Sequence, residues 1–171
     1  MGLGPIEPVC PWALATHRGI TVWAPGDLGM ESDDLAQLTE VDPDSWSGLT
    51  VRHGELVGIV LNSAHPRSRQ TNTLMHEISH LDLRHVPSRI EVSDGGLLLL
   101  SDYPQELEDE ANWLAGAVLL PRNALLFHRG RGSSVVEIAS EYGVSDQLCT
   151  WRLNMTGVDR QLGVGRRSPF D

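Results

Sequence analysis

The sequence predicts a mixed α+β fold made of a short sheet, two long helices and a C-terminal helical hairpin. Three observations favour this class. Short apolar runs bounded by turn residues occupy the first part of the chain, two long segments carry apolar residues at helical spacing, and the last third reads as helices joined at a glycine. The 171 residues are also enough to bury a core without disulfides.

The first elements are predicted to be short. Residues 12–18 suit a helix, residues 20–24 suit a strand that Pro25 ends, and Ser32 is expected to cap a helix that extends to about Thr39. Two hairpins are predicted from β-rich runs separated by turn residues. They comprise residues 49–52 with 56–61, and residues 90–92 with 97–100 around Asp94-Gly95-Gly96.

Two longer helices are predicted downstream. Residues 68–85 contain neither Pro nor Gly, and residues 103–120 run with an apolar stripe up to Pro121. Two shorter helices follow over residues 134–142 and 145–154, joined at Gly143. The expected domain organisation is a core over residues 1–128, a helix-turn-helix-like hairpin over residues 129–160 packed on that core, and a flexible tail over residues 161–171.

Composition excludes several functional classes. The net charge of −10 argues against direct nucleic-acid binding, because phosphate contacts require clustered cations. Two widely spaced cysteines, with no apolar signal segment or membrane span, predict a cytoplasmic location without membrane association. The acidic run from Asp27 to Asp44 is expected to be a solvated face or a docking surface for a basic partner. The sequence contains no Gly-x-Ser-x-Gly motif, which argues against a serine hydrolase.

The chemistry-bearing motif is His-Glu-x-x-His at residues 76–80. On a helix, His76 and His80 share a face and can bind one metal ion, while Glu77 lies beside that face as a candidate general base. A solvated helix with two surface histidines is the alternative. Leu74, Ile78 and Leu81 favour the metal site, since they predict a helix that is largely buried, where uncompensated histidines are costly.

A third ligand is expected from the acidic start of the second long helix, Glu106 to Glu110. A catalytic zinc site has three protein ligands and one open position. The spacing of a metzincin is absent, because its Gly and His positions hold Leu83 and Val86. His85 is therefore predicted to be a helix C-terminal cap or a neighbour of the active site.

Three blocks of sequence together resemble the ImmA/IrrE family of bacterial metallo-endopeptidases. They are residues 69–80, which lead into the zinc helix, residues 108–121, and residues 138–145 followed by 151–153. Jointly they extend over roughly residues 55–157 in the order that the family shows. Asn72, Leu114, Val118 and Leu120 depart from the family pattern, and of these Asn72 is the change expected to affect the cleft.

The resemblance implies a small zincin-like core that binds one Zn²⁺ ion, with other divalent ions such as Mn²⁺ also accepted. It implies His76, His80 and Glu108 as ligands and Glu77 as the catalytic base, with Glu110 as the competing third ligand. Candidates for stabilising the transition state are Tyr103, His85 and Arg69, and also His65.

The resemblance further implies a limited cut in a regulatory protein, such as a helix-turn-helix repressor or an antitoxin. Glu77 would activate a water molecule bound to the zinc. The alternative is a non-hydrolytic metal-binding sensor that binds a repressor-like partner. Residues 139–154 also have a helix-turn-helix rhythm, but Asp146, Gln147 and a single Arg152 are a poor set for reading DNA.

Overall fold

The structure is a computed structural model that describes residues 2–29, 31–92 and 98–164. It confirms the mixed α+β class. The described residues divide into two compact units, residues 10–115 and residues 2–9 together with 116–164. Within the described ranges, no helix is both long and apolar enough to cross a bilayer.

The first unit contains the sheet and the two long predicted helices. Its elements are α1 (Pro11–His17), β1 (Thr21–Trp23), a 3₁₀ turn (Pro25–Leu28), α2 (Ser32–Ala36) continued by a π-helical turn (Gln37–Val41), β2 (Gly48–His53), β3 (Leu56–Leu61), α3 (Arg67–Leu83), β4 (Arg89–Val92), β5 (Leu98–Ser101) and α4 (Gln105–Leu119). Ser32 is the first residue of its helix, whereas the sequence predicted it as the cap. The predicted turn at Asp94-Gly95-Gly96 falls outside the described residues.

Within the described residues, the strands of both predicted hairpins belong to one five-stranded sheet of order β1-β3-β2-β5-β4. Strands β2 and β3 pair antiparallel from Gly48 opposite Leu61 to His53 opposite Leu56. Gly54 makes the turn between them with φ of 59°, a left-handed conformation that suits glycine. Strands β4 and β5 pair antiparallel, and β5 extends the sheet by pairing with β2. The two hairpins thus join through β2 and β5.

Strand β1 joins this sheet parallel to β3, a pairing that the sequence did not predict. Thr21 lies opposite Gly58, and Trp23 opposite Val60. A Cβ atom at Gly58 would lie 1.8 Å from the Trp23 ring, so glycine is required where the indole crosses β3.

Helix α3 packs against β2 and β3 and builds the core of the first unit. Leu74 and Ile78 are fully buried, and Met75 is 1% exposed. Ile59 of β3 is also fully buried. Burying each such side chain stabilises the fold by about 1.5–3 kcal/mol, so this face fixes the rotation of α3 about its axis. Thr71, Ser79 and His80 of the same helix are also buried.

The second unit is helical. Its helices after α4 are α5 (Arg122–Gly130), α6 (Val135–Tyr142), α7 (Asp146–Thr156) and α8 (Val158–Leu162). The predicted pair of helices joined at Gly143 is present as α6 and α7, while α5 and α8 were not predicted. The expected domain boundary between residues 128 and 129 lies inside α5, and the predicted tail begins inside α8. The two compact units are divided within α4.

A capping box and an ion pair stabilise the helices of the second unit. Ser134 accepts a hydrogen bond from the Glu137 backbone N–H, and the Glu137 carboxylate accepts one from the Ser134 N–H, which forms a capping box at the start of α6. Arg129 of α5 forms an ion pair with Asp159 of α8, with 2.7 Å between its Nε and the carboxylate. These contacts account for two helix junctions of this unit.

Candidate metal centre

Helix α3 presents the two histidines of the motif on one face. It begins after Pro66, where an N-terminal proline removes no helical hydrogen bond, and it ends at Arg84 with φ of 57°. His76 and His80 are one helical turn apart, so their rings project side by side. The His80 side chain is 1% exposed and that of His76 is 20% exposed, so the pair lies at the wall of the first unit.

Glu108 of α4 completes a group of three. His76 Nε2 lies 3.0 Å from His80 Nε2 and 3.2 Å from Glu108 Oε2. His80 Nε2 lies 3.6 Å from Glu108 Oε1. Glu108 is thus the acid that the structure brings to the two histidines, and these three residues form a potential metal-binding group with all ligand atoms within 4.8 Å of one another.

The spacing of these atoms fits a tetrahedral metal ion. Bonds of about 2.0–2.1 Å at the tetrahedral angle place two ligand atoms roughly 3.3 Å apart. The observed separations of 3.0, 3.2 and 3.6 Å bracket that value. Two imidazoles and one carboxylate are also a ligand set typical of catalytic zinc. The residues present therefore fit a single divalent ion with one position left for a further ligand.

Asn112 orients His76 from the side away from this group. His76 Nδ1 lies 3.0 Å from Asn112 Oδ1, so the histidine N–H donates to the amide oxygen. With its proton on Nδ1, neutral His76 keeps a lone pair on Nε2, which faces His80 and Glu108. Asn112 and Glu108 share a face of α4 by their spacing of four residues, so one helix supplies both the carboxylate and the partner that orients His76.

His80 is held by a second group of residues. Its Nδ1 lies 2.9 Å from His85 Nδ1, and His85 Nε2 lies 3.2 Å from Glu110 Oε2. The ring of Tyr103 stacks on the His80 ring with 3.8 Å between the centroids. Glu110, the competing third ligand in the sequence, therefore contacts His85 through its carboxylate.

Glu77 is anchored by a strand residue that no sequence pattern had singled out. The Thr50 hydroxyl of β2 donates to Glu77 Oε2 over 2.7 Å, and Thr50 is fully buried. Burial raises the pKa of Glu77, while this hydrogen bond acts in the opposite direction. A carboxylate whose pKa is raised towards neutrality is better suited to exchange protons than an ordinary surface acid.

Burial also changes the pKa of two aromatic neighbours. It lowers the pKa of His80 to about 3, with further lowering from His76 and His85, so His80 is neutral at pH 7 and can serve as a ligand. Burial, together with the charges of Glu77 and Glu108, raises the pKa of Tyr103 to about 12. The Tyr103 hydroxyl thus keeps its proton at neutral pH and can donate a hydrogen bond.

Two clefts of the first unit border the three-residue group. One, of about 330 Å³, is lined by His76, Glu77 and Glu108 together with Asn72 and residues of β2 and α3. The other, of about 450 Å³, is lined by His80, His85 and Tyr103. Its remaining lining comprises Arg52, Leu81, Arg84, Val86, Pro87 and Ile90. Asn72, the unusual residue in the resemblance, therefore lines the cleft that contains Glu77.

The other predicted site residues lie in different surroundings. Arg69 forms an ion pair with Asp44 at 2.8 Å and a hydrogen bond with Ser47 at 3.0 Å. His65 is buried, and its Nε2 lies 2.9 Å from the Pro43 carbonyl oxygen. Both residues contact the segment that precedes β2. Thr50 and Arg52 of β2 are the site residues that sequence reasoning missed, since strand patterns do not reveal which residue of α3 a strand will face.

Comparison with known families agrees with this geometry. Residues 45–154 match the Peptidase_M78 family model, described as the IrrE N-terminal-like domain. The match includes His76, Glu77, His80 and Glu108. No curated protein matches the chain. The matched region extends over more than half of the sequence and confirms the resemblance stated above: the chain belongs to the Peptidase_M78 family of IrrE N-terminal-like domains, which indicates a metallopeptidase.

Proposed function

We propose that the protein is a zinc-dependent endopeptidase that makes a limited cut in a regulatory protein. The observation that carries this proposal is the convergence of His76, His80 and Glu108 within 4.8 Å, beside a buried glutamate in a cleft. A surface helix with two solvated histidines would not bring a carboxylate from a second helix to both imidazoles. His76, His80 and Glu108 would hold the ion, and Mn²⁺ fits the same ligands.

A bound divalent ion supplies Lewis acidity, which acidifies water and polarises a peptide carbonyl. Glu77 performs the proton transfers. Thr50 occupies its Oε2, which leaves Oε1 to accept a proton from a water molecule in the cleft. The raised pKa of Glu77 makes it a better base for that proton, and the carboxyl group can pass the proton to the leaving amine because an amine is the stronger base. Thr50 holds the carboxylate in one orientation through both transfers.

Tyr103 is our candidate for stabilising the developing oxyanion. It stacks on His80, its hydroxyl is protonated at neutral pH, and it lines the larger cleft. Arg69 is a weaker candidate, because Asp44 and Ser47 already engage its guanidinium group. We assign His85 a different role below.

We propose a helix-turn-helix repressor or an antitoxin as the substrate, on the basis of the family resemblance. An extended segment of such a partner could reach the ligand group from either cleft. A cytoplasmic location and the absence of direct DNA binding are parts of the same proposal, and the net charge of −10 supports the latter. The alternative is a sensor that binds metal and partner without turnover.

Glu77→Gln separates these two functions. Metal-loaded native protein and the variant would be incubated with the product of a neighbouring gene, ideally a helix-turn-helix protein, and the products measured by mass spectrometry. We expect one cut by the native protein and none by Glu77→Gln, with metal content unchanged. If both proteins bind the partner and leave it intact, the peptidase proposal fails and the sensor function is favoured.

A further inference from the structure

The hydrogen-bonded group around His80 continues beyond the three candidate ligands. His85 lies between His80 and Glu110, and both of its ring nitrogens are engaged, Nδ1 with His80 Nδ1 at 2.9 Å and Nε2 with Glu110 Oε2 at 3.2 Å. The His85 side chain is 4% exposed, and that of Glu110 is 64% exposed. Neither residue takes part in the proton transfers described above.

The positions of the protons on His80 and His85 follow from Glu110, the acceptor that contacts His85. The Glu110 carboxylate has only lone pairs to offer, so His85 Nε2–H donates to it. A neutral His85 with its proton on Nε2 has a lone pair on Nδ1. The hydrogen bond between the two ring nitrogens, 2.9 Å apart, is then made by a proton on His80 Nδ1. His80 Nε2 is then left with a lone pair.

The reverse arrangement is disfavoured at the Glu110 end, and at the other end it blocks the candidate metal position. If His85 Nδ1–H donated to His80, then His85 Nε2 would have no proton to place between itself and Glu110 Oε2, and two acceptors would face each other over 3.2 Å. His80 would carry its proton on Nε2, shared with the lone pair of His76 Nε2 3.0 Å away, whereas the proposed arrangement leaves both nitrogens with the lone pairs that a metal ion requires. That proton would also block the atom that faces Glu108.

We propose that Glu110 and His85 are positioning residues that hold the His80 proton on Nδ1, so that its Nε2 is available to the metal. This inference rests on the metal-binding role proposed above. His76 achieves the same tautomer through the fixed amide oxygen of Asn112. His85 Nδ1 is an acceptor only while Glu110 binds the proton on Nε2 of His85. The tautomer of His80 therefore depends on both His85 and Glu110. Partners of this kind typically change metal affinity by about 10–100-fold when removed.

The proposed role of His85 agrees with its prediction as a neighbour of the active site, and it replaces oxyanion stabilisation for His85 and metal ligation for Glu110. With both nitrogens engaged, His85 has no N–H left to donate to an oxyanion. Glu110 acts on His85 and, through it, on His80, whereas Glu108 faces the two histidine ligands directly. The two acids are two positions apart on α4 and therefore point in different directions, which allows one helix to serve both layers of the site.

The test combines the His80 tautomer with zinc affinity. Long-range ¹⁵N–¹H spectra of the metal-free protein, recorded well above the ordinary histidine pKa of about 6.5, report which nitrogen of His80 carries the proton. Zinc affinity is measured by competition with a chromogenic chelator. The variants are Glu110→Ala, His85→Phe, which keeps an aromatic ring without an acceptor, and His85→Gln, whose amide oxygen can accept from His80. Glu106→Gln, an exposed acid of the same helix, is the control for charge.

We expect the Nδ1–H tautomer in the native protein and its loss in Glu110→Ala and His85→Phe, with zinc affinity lowered by about 10–100-fold. His85→Gln should recover most of the affinity, and Glu106→Gln should match the native protein. The inference is overturned if native His80 is protonated on Nε2, or if Glu110→Ala binds zinc as tightly as the native protein. Glu110 is exposed, so its variant decides the matter even if His85→Phe does not fold.

The outcome is separable from that of the proposed function. The tautomer is read from metal-free protein and needs no substrate. A native protein that binds zinc and cuts no partner would defeat the peptidase proposal and leave this inference standing.

Discussion

Replacing Thr50 by Val tests whether the hydrogen bond to Glu77 holds an ionised carboxylate in the first unit. Thr50 is fully buried, and its Oγ1 donates to Glu77 Oε2 over 2.7 Å. Valine has nearly the same shape, so the substitution removes the donor without opening a cavity. A hydrogen bond to a charged group contributes about 1.5–3 kcal/mol, and one between neutral groups about 0.5–1.5 kcal/mol. Thr50→Val should therefore destabilise the metal-free protein by about 1.5–3 kcal/mol.

The same substitution in a Glu77→Gln background provides the matched control. The amide still accepts from Thr50 but carries no charge, so the cost of Thr50→Val should fall to about 0.5–1.5 kcal/mol. The free energy of unfolding would be measured in urea by tryptophan fluorescence, at the alkaline end of the range in which the protein is folded. Four of the five tryptophans lie in the unit of residues 10–115, namely Trp12, Trp23, Trp46 and Trp113. Equal costs of Thr50→Val in the two backgrounds would refute the reasoning.

Three further predictions concern the metal, pH and packing. Zinc at a hundredfold excess over its dissociation constant should stabilise the native protein by about 2.7 kcal/mol, or roughly 5–10 °C in Tm, and Glu108→Ala should lose most of this gain in calorimetry. Folding lowers the pKa of His80 from 6.5 to about 3 in the metal-free protein, so the unfolded chain binds a proton at this histidine more readily than the folded one. The free energy of unfolding should therefore be unaffected by His80 above pH 6.5 and fall as the pH is lowered towards 3. His80→Gln should reduce this pH dependence in urea titrations. Gly58→Ala forces a Cβ into the Trp23 ring and should destabilise the protein by about 1–3 kcal/mol or more in urea unfolding.

Each of these predictions has a contrary outcome. A zinc-induced rise in Tm that survives in Glu108→Ala would remove Glu108 from the ligand set. An acid profile that His80→Gln leaves unchanged would assign the pH dependence to other groups. Gly26→Ala is the control for Gly58→Ala, because Gly26 has open space around its Cβ position. Equal stability of the two alanine variants would contradict the packing argument.

The sequence predicted the elements whose signals are local. The hairpin of β2 and β3 follows from two apolar runs with a glycine turn, and α3 follows from a long segment without Pro or Gly. The parallel pairing of β1 with β3 was not predictable in this way, because a three-residue strand finds its partner through tertiary packing. Helix α5 was missed although Ala124, Leu125 and His128, all buried, have helical spacing.

The candidate site was predictable along each helix and not between elements. The spacing of His76 and His80 fixes their common face, and an acid from a second helix was expected as the third ligand. Sequence alone could not separate Glu108 from Glu110, since both belong to the same acidic turn. Thr50 lies 27 positions from Glu77 in the chain, and its selection depends on how β2 lies against α3. Local periodicity contains no information about that contact.

The end of α3 has a consequence for transplanting the site into another scaffold. Arg84 turns the chain with φ of 57°, and the backbone N–H of His85 donates to the His80 carbonyl at 3.0 Å, so the backbone itself returns His85 towards His80. Two of the proposed ligands, the proposed base and the proposed acceptor are thereby encoded in ten consecutive residues, 76–85. A second segment, residues 108–112, supplies Glu108, Glu110 and Asn112. A designer would need to hold two helical fragments, Thr50 and Tyr103 at the correct spacing.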